Sequence, residues 1–465
     1  STFVNCSGQW GGAIGADGNN WALSSNITGC LFMDNVNAVK GGAIYVDCFN
    51  TVKINYNVFI NSAASYGSAD SKVISSGSKT KTSINLDNNW FGNTAENAEL
   101  DSSLIFSSLT APTEWLVLTA SADSNTIKTG SSHVITVDLT KTQLGNEIDG
   151  SLLPQDLSCS LKASEGALDV ENLDFVNGKA AVTYTAGENA GSDIIEANVS
   201  SKIFTTLLAS TDLDLTVTLD LSKVYVNATG GNDANDGTSW DKAVQTVSHA
   251  YNIAEADGTI YLADGTYTAS SITLSKNVKF VGESQNGTVI DGNSRAGFTV
   301  NAGKIVKFSE MTFTKFSGNY GGAFEVNGVL CVENVSFTNN RASSGGSAID
   351  IGSATGSINV TSCFFDSNYA DRDGGALSSY GYGEVNVVNS TFINCSAGRN
   401  GGAIAIKSGN NYYKVVGCTF IDDFCTNLGD SYGGAIYVWS SNSIIEDSTF
   451  VNCSGQWGGA IGADG

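Results

Sequence analysis

A short apolar signature recurs along most of the chain at intervals of 24 to 32 residues. In it, a Phe is often followed two positions later by Asn or Asp. A second signature, Gly-Gly-Ala plus an apolar residue, alternates with the first. A unit of this size, made of short alternating segments and turn residues, predicts one coil of a parallel β-solenoid. The first signature is centred on Phe32, Phe59, Phe91, Phe313, Phe337, Phe365, Phe392, Phe420 and Phe450, and the second begins at Gly41, Gly321, Gly374, Gly401, Gly433 and Gly458, with a degenerate copy over 345–348.

The residue types in these signatures indicate how the coils stack. We expect the paired glycines at a corner where the backbone needs a positive φ or a close approach. We expect each Phe to stack on the next inside the solenoid, and the Asn two residues later to form an inward ladder of amides. The presence of only two Pro residues agrees with strands whose N–H groups all donate.

The two ends of the chain have the same sequence. Residues 1–18 and 448–465 both read STFVNCSGQWGGAIGADG. We expect the chain to be one window of a tandem array with a 447-residue period. The alternative is a single subunit with duplicated ends that assembles head to tail.

Changes in pattern divide the chain into three parts. Residues 1–108 are expected to be the C-terminal coils of a parallel β-helix, and 223–465 the capping segment and N-terminal coils of the next one. Asp241 is expected to begin a short amphipathic helix that covers the open end of the second solenoid. The signatures are absent from 109–222, where longer alternating strands predict an Ig-like β-sandwich.

Composition excludes several functional classes. With 23 Lys and Arg against 46 Asp and Glu, the net charge is -23, which argues against nucleic acid or an anionic membrane surface as a partner. No apolar run is long enough for a transmembrane helix, so no direct membrane insertion is expected in this window. Only two His residues occur, and we expect no cofactor.

Together the motifs carry a family resemblance. The Phe-x-Asn and Gly-Gly-Ala-Ile repeats resemble those of chlamydial polymorphic outer-membrane proteins. The opening segment YVNATGGNDANDGTSWDKAVQTVSHAYNIAEADGTIYLADGTY is similar to the start of many pectin-lyase-like right-handed β-helices, and NNWFGNTAEN resembles their closing coil. KAAVTYTAGENAGSDIIEANVS is similar to invasin-type Ig-like domains. The arrangement resembles the adhesin-like surface proteins of methanogenic archaea, which implies an all-β fold and an extracellular, cell-surface, non-catalytic role.

One carboxylate pair deserves a chemical interpretation because pectin-lyase-like β-helices often cleave polysaccharides. Aligning the coils on Gly-Gly-Ala places Glu325 and Asp350 at matching outward positions in adjacent coils. Two such carboxylates could act as an acid and nucleophile pair or bind Ca²⁺. The alternative is ordinary solvated charge, and the equivalent positions in later coils hold no carboxylate.

Other candidate sites have equally ordinary alternatives. Asp233, Asn235 and Asp236 offer alternating oxygen ligands for Ca²⁺, or they form a plain polar turn. Asn286, Asn334 and Asn389 are the glycosylation candidates, whereas Asn5, Asn394 and Asn452 are expected to point inward. The cysteines lack metal-ligand spacing and are expected to be small buried residues, although one-coil separation allows Cys425 to bridge Cys395 or Cys453.

These observations favour a mechanical function. We expect a structural repeat unit of an extracellular fibre, stalk or adhesin that is not an enzyme. Its partners would be neighbouring copies of the same repeat and host or cell-wall glycans. One alternative is a glycan-binding adhesion module that uses Tyr45, Tyr437 and Trp439. The other is a polysaccharide lyase or hydrolase of the pectin-lyase-like class.

Overall fold

The chain forms two compact units, Ser1–Leu219 and Asp220–Gly465, and nearly every regular element in both is a β-strand. The predicted boundaries at 108/109 and 222/223 remain predictions. A computed structural model describes residues 1–17, 24–47, 51–62, 72–77, 83–100, 105–107, 109–203, 207–352, 355–381, 383–407, 412–427, 429–439 and 442–464.

The C-terminal unit is a parallel β-helix, as the repeats predict, and its strands stack into three faces. The first face has two adjacent columns. Its first column is Lys223–Val226, Gly258–Leu262, Val278–Gly282, Ile305–Thr314, Val329–Thr338, Ser357–Thr361, Val385–Val388, Tyr413–Val416 and Ser443–Glu446. Its second column is Gly265–Thr268, Thr288–Asp291, the second halves of the two ten-residue strands, Phe364–Asp366, Thr391–Ile393, Thr419–Ile421 and Thr449–Val451.

The other two faces are formed by strands that come after the first-face strands in each rung. The second face is Ser317–Tyr320, Arg341–Gly345, Tyr369–Ala370, Ser396–Ala397 and Phe424–Cys425. The third face follows the Gly-Gly-Ala corner and is Ile272–Leu274, Phe298–Val300, Phe324–Val326, Ile349–Ile351, Leu377–Ser379, Ile404–Ile406, Ile436–Val438 and Ile461–Ala463.

A helix over Val247–Ile253 packs at the start of this β-helix. Its buried residues Val247, Ala250 and Tyr251 join the same core as the first strands. The predicted capping residue was wrong. Thr246, not Asp241, is the N-cap, because the Thr246 hydroxyl accepts the backbone N–H of His249. The helix thus begins later than the apolar pattern indicates.

The repeated Phe forms a continuous internal stack. Along the second column, the ring centroids of Phe365 and Phe392 are 4.5 Å apart, and those of Phe392 and Phe420 are 4.9 Å apart, with nearly parallel planes. Each of these rings is fully buried. Because paired strands are in register, each Phe lies directly over its counterpart, as the repeat predicts.

The Asn of the Phe-x-Asn signature has a different role from the one predicted. It does not form the inward ladder. Asn394 and Asn452 have φ of 52° and 55° and are exposed at a turn. Asn tolerates this left-handed conformation better than most residues, which explains the sequence preference. The inward polar ladder lies one residue later, where the Asn340 amide donates to the Asn368 carbonyl oxygen at 3.0 Å.

The paired glycines form the predicted corner. Gly401 has a φ of 60°, and a Cβ on Gly402 would lie 2.1 Å from the carbonyl oxygen of Gly434 in the next rung. A side chain at Gly402 would require the two rungs to move apart, so glycine at this position allows their close packing. The degenerate copy is shifted by one residue, because Ser347 rather than Gly346 occupies the close-contact position.

The N-terminal unit begins with a second stack of parallel rungs. A Phe column is again present, with Phe32 lying 4.9 Å from Phe3 and 4.8 Å from Phe59. The solenoid strands of this unit are Thr2–Val4, Ser7–Trp10, Ile14–Asp17, Ser24–Thr28, Leu31–Met33, Val36–Lys40, Ile44–Asp47, Thr51–Asn55, Val58–Ile60, Ile74–Ser76, Ser83–Asn85, Trp90–Thr94 and Phe106–Ser107.

A β-sandwich completes the N-terminal unit. Its first sheet is Leu116–Ala122, Ser132–Thr142, Lys179–Thr185 and Ala167–Leu168. Its second sheet is Thr126–Lys128, Leu207–Thr218, Gly191–Ser201, Leu157–Ala163 and Asn172–Asp174, and a short 3₁₀ turn covers Gly150–Leu152. Apart from Thr126–Lys128 with Leu207–Thr218, the strands within each sheet are antiparallel.

The solenoid and the sandwich of this unit share one sheet. Trp90 pairs with Leu116 in parallel, and Leu116–Ala122 then pairs antiparallel with Ser132–Thr142. Trp90 is fully buried in the same core as the sandwich residues. This strand therefore joins the parallel stack to the antiparallel sheet, with register shifts between Trp90 and Thr94 and between Val117 and Thr119.

Candidate functional site

Three rung positions of the C-terminal β-helix build a cavity on its surface. The first precedes the Gly-Gly corner and holds Tyr320; the second is in the third-face strands and holds Glu325 and Asp350. The third follows those strands and holds Tyr380. The cavity has a volume of about 310 Å³, and its lining residues are Tyr320, Glu325, Asn327, Asp350, Gly352, Arg372 and Tyr380.

Glu325 and Asp350 are paired in neighbouring rungs, as the alignment predicts. Their environments differ, however. Glu325 is exposed, whereas Asp350 also faces the cavity but is completely buried. The reason is that Ser378, in the next rung, lies over Asp350 and donates its hydroxyl to Oδ1.

The Asp350 carboxyl is short of partners. Its Oδ2 atom is buried without a hydrogen bond. Burial raises the pKa of Asp350 to about 7, and the negative charge of Glu325 adds to the effect, while the Ser378 hydroxyl opposes it. A carboxyl of this kind can hold or release a proton near neutral pH, which is the property expected of a general acid.

A charged cluster centred on Asp373 lies beside the cavity. Asp373 is completely buried, and its Oδ2 accepts from Lys407 Nζ at 2.5 Å and from the Tyr380 hydroxyl at 2.9 Å. Arg399 donates to both carboxylate oxygens, at 3.1 and 2.7 Å. Burial alone would raise the pKa of Asp373, but these donors hold it below its ordinary value. The cluster therefore fixes Tyr380, which forms one wall of the cavity.

Asp373 lies outside both repeat signatures. A usable signal was present, because Asp373 directly precedes Gly374 and Lys407 follows Gly401 by six positions. At the position directly before the Gly-Gly pair, residues of adjacent rungs lie in register, as the bridge between Asp373 and Asn400 shows. An alignment of every rung position, and not only of the strand after Gly-Gly, predicts that the residues of this cluster lie close together.

The three candidate calcium ligands Asp233, Asn235 and Asp236 lie in a loop held by hydrogen bonds within the chain. Asp233 accepts from the backbone N–H groups of Gln245 and Thr246, at 2.8 and 2.9 Å, and from the Thr246 hydroxyl. Asp236 accepts from Thr238, and the Asn235 amide donates to a backbone carbonyl. These contacts tie the loop to the start of the helix. Across the described ranges, no group of three or more His, Cys, Asp or Glu is arranged to hold a metal ion.

The sequon candidates differ in accessibility. Asn286 and Asn389 are exposed, while Asn334 is half-buried and its amide donates to Glu310 at 2.5 Å. Asn5, Asn394 and Asn452 are also exposed, so the expectation that they point inward was wrong. Their positive φ turns them outward.

The three disulfide candidates are free thiols in the structure. The backbone register explains why Cys425 is not opposite Cys395. Ser396 pairs with Phe424, and the Cys395 backbone N–H donates to Asp423, so Asp423 occupies the matching position. Cys395 and Cys425 are buried.

The aromatic residues proposed for sugar stacking do not form an exposed strip. Tyr437 is only 4% exposed, whereas Trp439 is 52% exposed. In the N-terminal unit, Tyr45 is covered by Trp10, whose ring centroid is 5.2 Å away.

The stacked parallel rungs, the capping helix and the surface cavity define a pectate-lyase-like β-helix. The sequence profile described as rhamnogalacturonase A/epimerase, pectate lyase-like, matches residues 225–458. The chain belongs to this family. A search of curated proteins finds no match. In the described part of the chain, every helix is too short or too polar to cross a membrane.

Proposed function

We propose that this chain is a non-enzymatic structural repeat module of an extracellular cell-surface fibre or adhesin, of the kind found in methanogenic archaea. The observation that carries the proposal is the shared sheet of the N-terminal unit. Because Trp90 pairs with Leu116, the solenoid and the sandwich form one continuous hydrogen-bonded body. Such a joint resists bending, which suits a stalk.

The 447-residue repeat of the terminal sequence supports the same reading. A solenoid is stabilised by contacts between neighbouring rungs. Repeating it therefore lengthens a fibre while each added rung makes the same kind of local contacts. The Ig-like sandwich would alternate with the β-helix along the fibre. The partners are neighbouring copies and, at the surface, host or cell-wall glycans.

The test is the mass of the native polypeptide after full denaturation and reduction, combined with electron microscopy of the intact protein. We expect a mass several times 48.3 kDa and elongated particles with a regular repeat. A mass near 48.3 kDa with only compact, separate particles at every concentration contradicts a fibre module.

A second candidate is an enzyme acting on a neutral or acidic polysaccharide at the surface cavity. The specific observation is the pairing of Glu325 with a buried Asp350 whose pKa is raised to about 7. Asp350 would donate a proton to the leaving oxygen, and Glu325 would act as nucleophile or base. Tyr320 and Tyr380, with ring centroids 6.3 Å apart, would contact the sugar.

This candidate is tested by incubating the full chain with a panel of polysaccharides and measuring new reducing ends and unsaturated products. The enzymatic reading requires activity that falls at least about a hundredfold in Asp350→Asn and Glu325→Gln. Glu333→Gln, at an exposed carboxylate of the first face, is the matched control. Activity equal in all four proteins, or none in any, contradicts it. A glycan array with wild type and Trp439→Ala, at the most exposed of the three aromatic residues, tests the binding-module alternative.

A further inference from the structure

A second pocket lies on the outer surface of the first face, where the C-terminal β-helix begins. We call it the cap pocket. Its volume is about 420 Å³, which is within the range of about 300–1,000 Å³ typical of small-molecule sites. It shares no lining residue with the cavity that contains Asp350. Its lining residues are Asn227, Trp240, Tyr261, Leu262, Ala263, Val281, Gly282 and Glu283.

The aromatic wall of the cap pocket is built by strand register and by one loop residue. Tyr225 pairs with Tyr261 in the adjacent strand, and their rings stack with centroids 5.4 Å apart. Trp240, in the loop before the helix, packs edge-on against Tyr225 with centroids 4.9 Å apart. Trp240 is nevertheless 48% exposed. A held aromatic ring is therefore available to a ligand.

Two polar side chains in the cap pocket are fixed by hydrogen bonds to nearby backbone. Asn227 Oδ1 accepts the backbone N–H groups of Thr229 and Gly230, at 3.0 and 2.9 Å. These bonds occupy the carbonyl oxygen, and no residue in the described part of the chain accepts from the amide nitrogen, so this donor is left for a ligand. Glu283 is exposed, and its Oε2 accepts the backbone N–H of Asp264 at 2.9 Å. The pocket thus presents an oriented donor and an oriented anionic acceptor beside an aromatic ring.

We propose that the cap pocket binds a neutral hexose unit of a glycan. The apolar C–H face of the sugar ring would lie on Trp240. Its hydroxyl groups would accept a hydrogen bond from the Asn227 amide and donate one to the Glu283 carboxylate. This inference rests on the proposed function, because it names where a module of the fibre would contact a glycan.

The chemistry of the pocket disfavours other classes of ligand. A purely apolar molecule would cover Asn227 and Glu283 without bonding to them, and burying polar groups in this way costs free energy. A uronic acid or a phosphate would bring its negative charge to the Glu283 carboxylate, in a chain whose net charge is already -23. A neutral ring with one apolar face and several hydroxyl groups satisfies both walls of the pocket.

Titration calorimetry of the full chain tests the proposal, with cellopentaose, mannopentaose and galactopentaose as neutral probes and pentagalacturonate as the acidic probe. We expect at least one neutral probe to bind wild type, with an affinity that falls about tenfold in Trp240→Ala because the stacking surface is lost. Any binding of pentagalacturonate should be equal in the two proteins, because its carboxylates would face Glu283 in the cap pocket. Trp439→Ala is the matched control, because Trp439 is 52% exposed on a later rung.

Glu283→Gln provides a second test at an exposed side chain, and it decides the question if Trp240→Ala does not fold as wild type does. It keeps the shape of the side chain and removes the charge, so the affinity for the neutral probe should fall about fivefold. The inference is overturned if wild type binds no neutral probe, or if neither Trp240→Ala nor Glu283→Gln weakens that binding. It is also overturned if Trp439→Ala weakens binding as much as Trp240→Ala does.

These results and the fibre proposal can fail separately. The native mass and the electron microscopy that test the fibre involve no glycan, so a cap pocket without sugar binding leaves the fibre standing. Conversely, a chain that is neither an array nor a filament contradicts the fibre even if the cap pocket binds a hexose.

Discussion

The sandwich and the C-terminal β-helix each bury an aspartate completely, and the two carboxylates differ in the number of hydrogen bonds they accept. In the sandwich, Asp193 accepts from the backbone N–H groups of Glu165 and Gly166 at 3.0 and 2.7 Å, and from Ser164 and Tyr184. In the β-helix, Asp423 accepts one bond, from the Cys395 backbone N–H at 2.8 Å, and its Oδ2 has no partner.

The pKa values follow from this difference. Burial opposes ionisation of Asp193, but its donors hold its pKa below the ordinary value of 3.8. Burial raises the pKa of Asp423 to about 8. An antiparallel sandwich brings unlike residues together, so a turn can supply several donors to one carboxylate. In the inward ladder of the β-helix, Asp423 lies in register with Cys395, so this ladder supplies few donors, unlike the rung positions around Asp373.

The largest expected effect is in the sandwich. Asp193→Asn replaces an acceptor of several N–H and O–H groups with a side chain that also donates, so the free energy of unfolding at neutral pH should fall by about 4 kcal/mol. Denaturant unfolding of the N-terminal unit measures this. Asp212→Asn, at an exposed position on the neighbouring strand, is the control and should change little.

The sign of the pH dependence is part of this prediction. The pKa of Asp193 is lower in the folded state, so its stabilisation is present above the ordinary value of 3.8 and is lost as the pH falls through the folded pKa. The gap between wild type and Asp193→Asn should narrow in acid. A constant gap would mean that Asp193 is not ionised in the native sandwich.

Phe392→Ala tests whether damage in the β-helix stays local. It removes one ring from the stack between Phe365 and Phe420, and we expect a loss of about 3 kcal/mol. Because solenoid stability is a sum of neighbouring contacts, hydrogen exchange should accelerate in the adjacent rungs and stay unchanged over Val224–Leu262. Uniform acceleration across the C-terminal unit would contradict this picture.

Asp423→Asn should have a smaller effect of the opposite sign. The new amide can donate to the Phe392 carbonyl, as the Asn368 amide donates to Phe337 at 2.8 Å, so we expect a gain of about 1 kcal/mol at neutral pH. In wild type, the raised pKa means that stability falls as the pH rises from about 3.8 to about 8. The stability of Asp423→Asn should therefore fall less with rising pH than that of wild type. Thermal unfolding over that pH range measures this, and an equal fall in both proteins would contradict the prediction.

The smallest effect concerns the turn after each Phe. Asn394 has a φ of 52°, so Asn394→Ala should cost about 1 kcal/mol, because Ala tolerates the left-handed region poorly. Asn394→Gly should be close to neutral at this exposed position. Equal losses for both variants in chemical unfolding would show that the Asn side chain, rather than its backbone conformation, stabilises the turn.

The sequence was sufficient for the features that repeat. Parallel pairing places like residues over one another, so the Phe stack and the Gly-Gly corner could be predicted from their spacing. Spacing does not show which way a side chain points. The left-handed residue after each Phe shifts the inward ladder from Asn394 to Cys395, and nothing in the period reveals that shift.

The candidate site was only half predictable for the same reason. The pairing of Glu325 with Asp350 followed from the alignment of the coils. The burial of Asp350 depends on Ser378, and the Asp373 cluster depends on Arg399 and Lys407, all of which come from other rungs. These contacts occur once, so no repeat marks them in the sequence.

The in-register Phe column also bears on how the gene can change. Phe3 lies on Phe32 much as Phe420 lies on Phe450, with the same 4.9 Å spacing in each case. An unequal crossover that deletes or duplicates one whole rung would bring another Phe into the vacant place, and the column would close again. Recombination between repeats can therefore change the length of the solenoid by one rung at a time, while every remaining Phe ring still stacks on another.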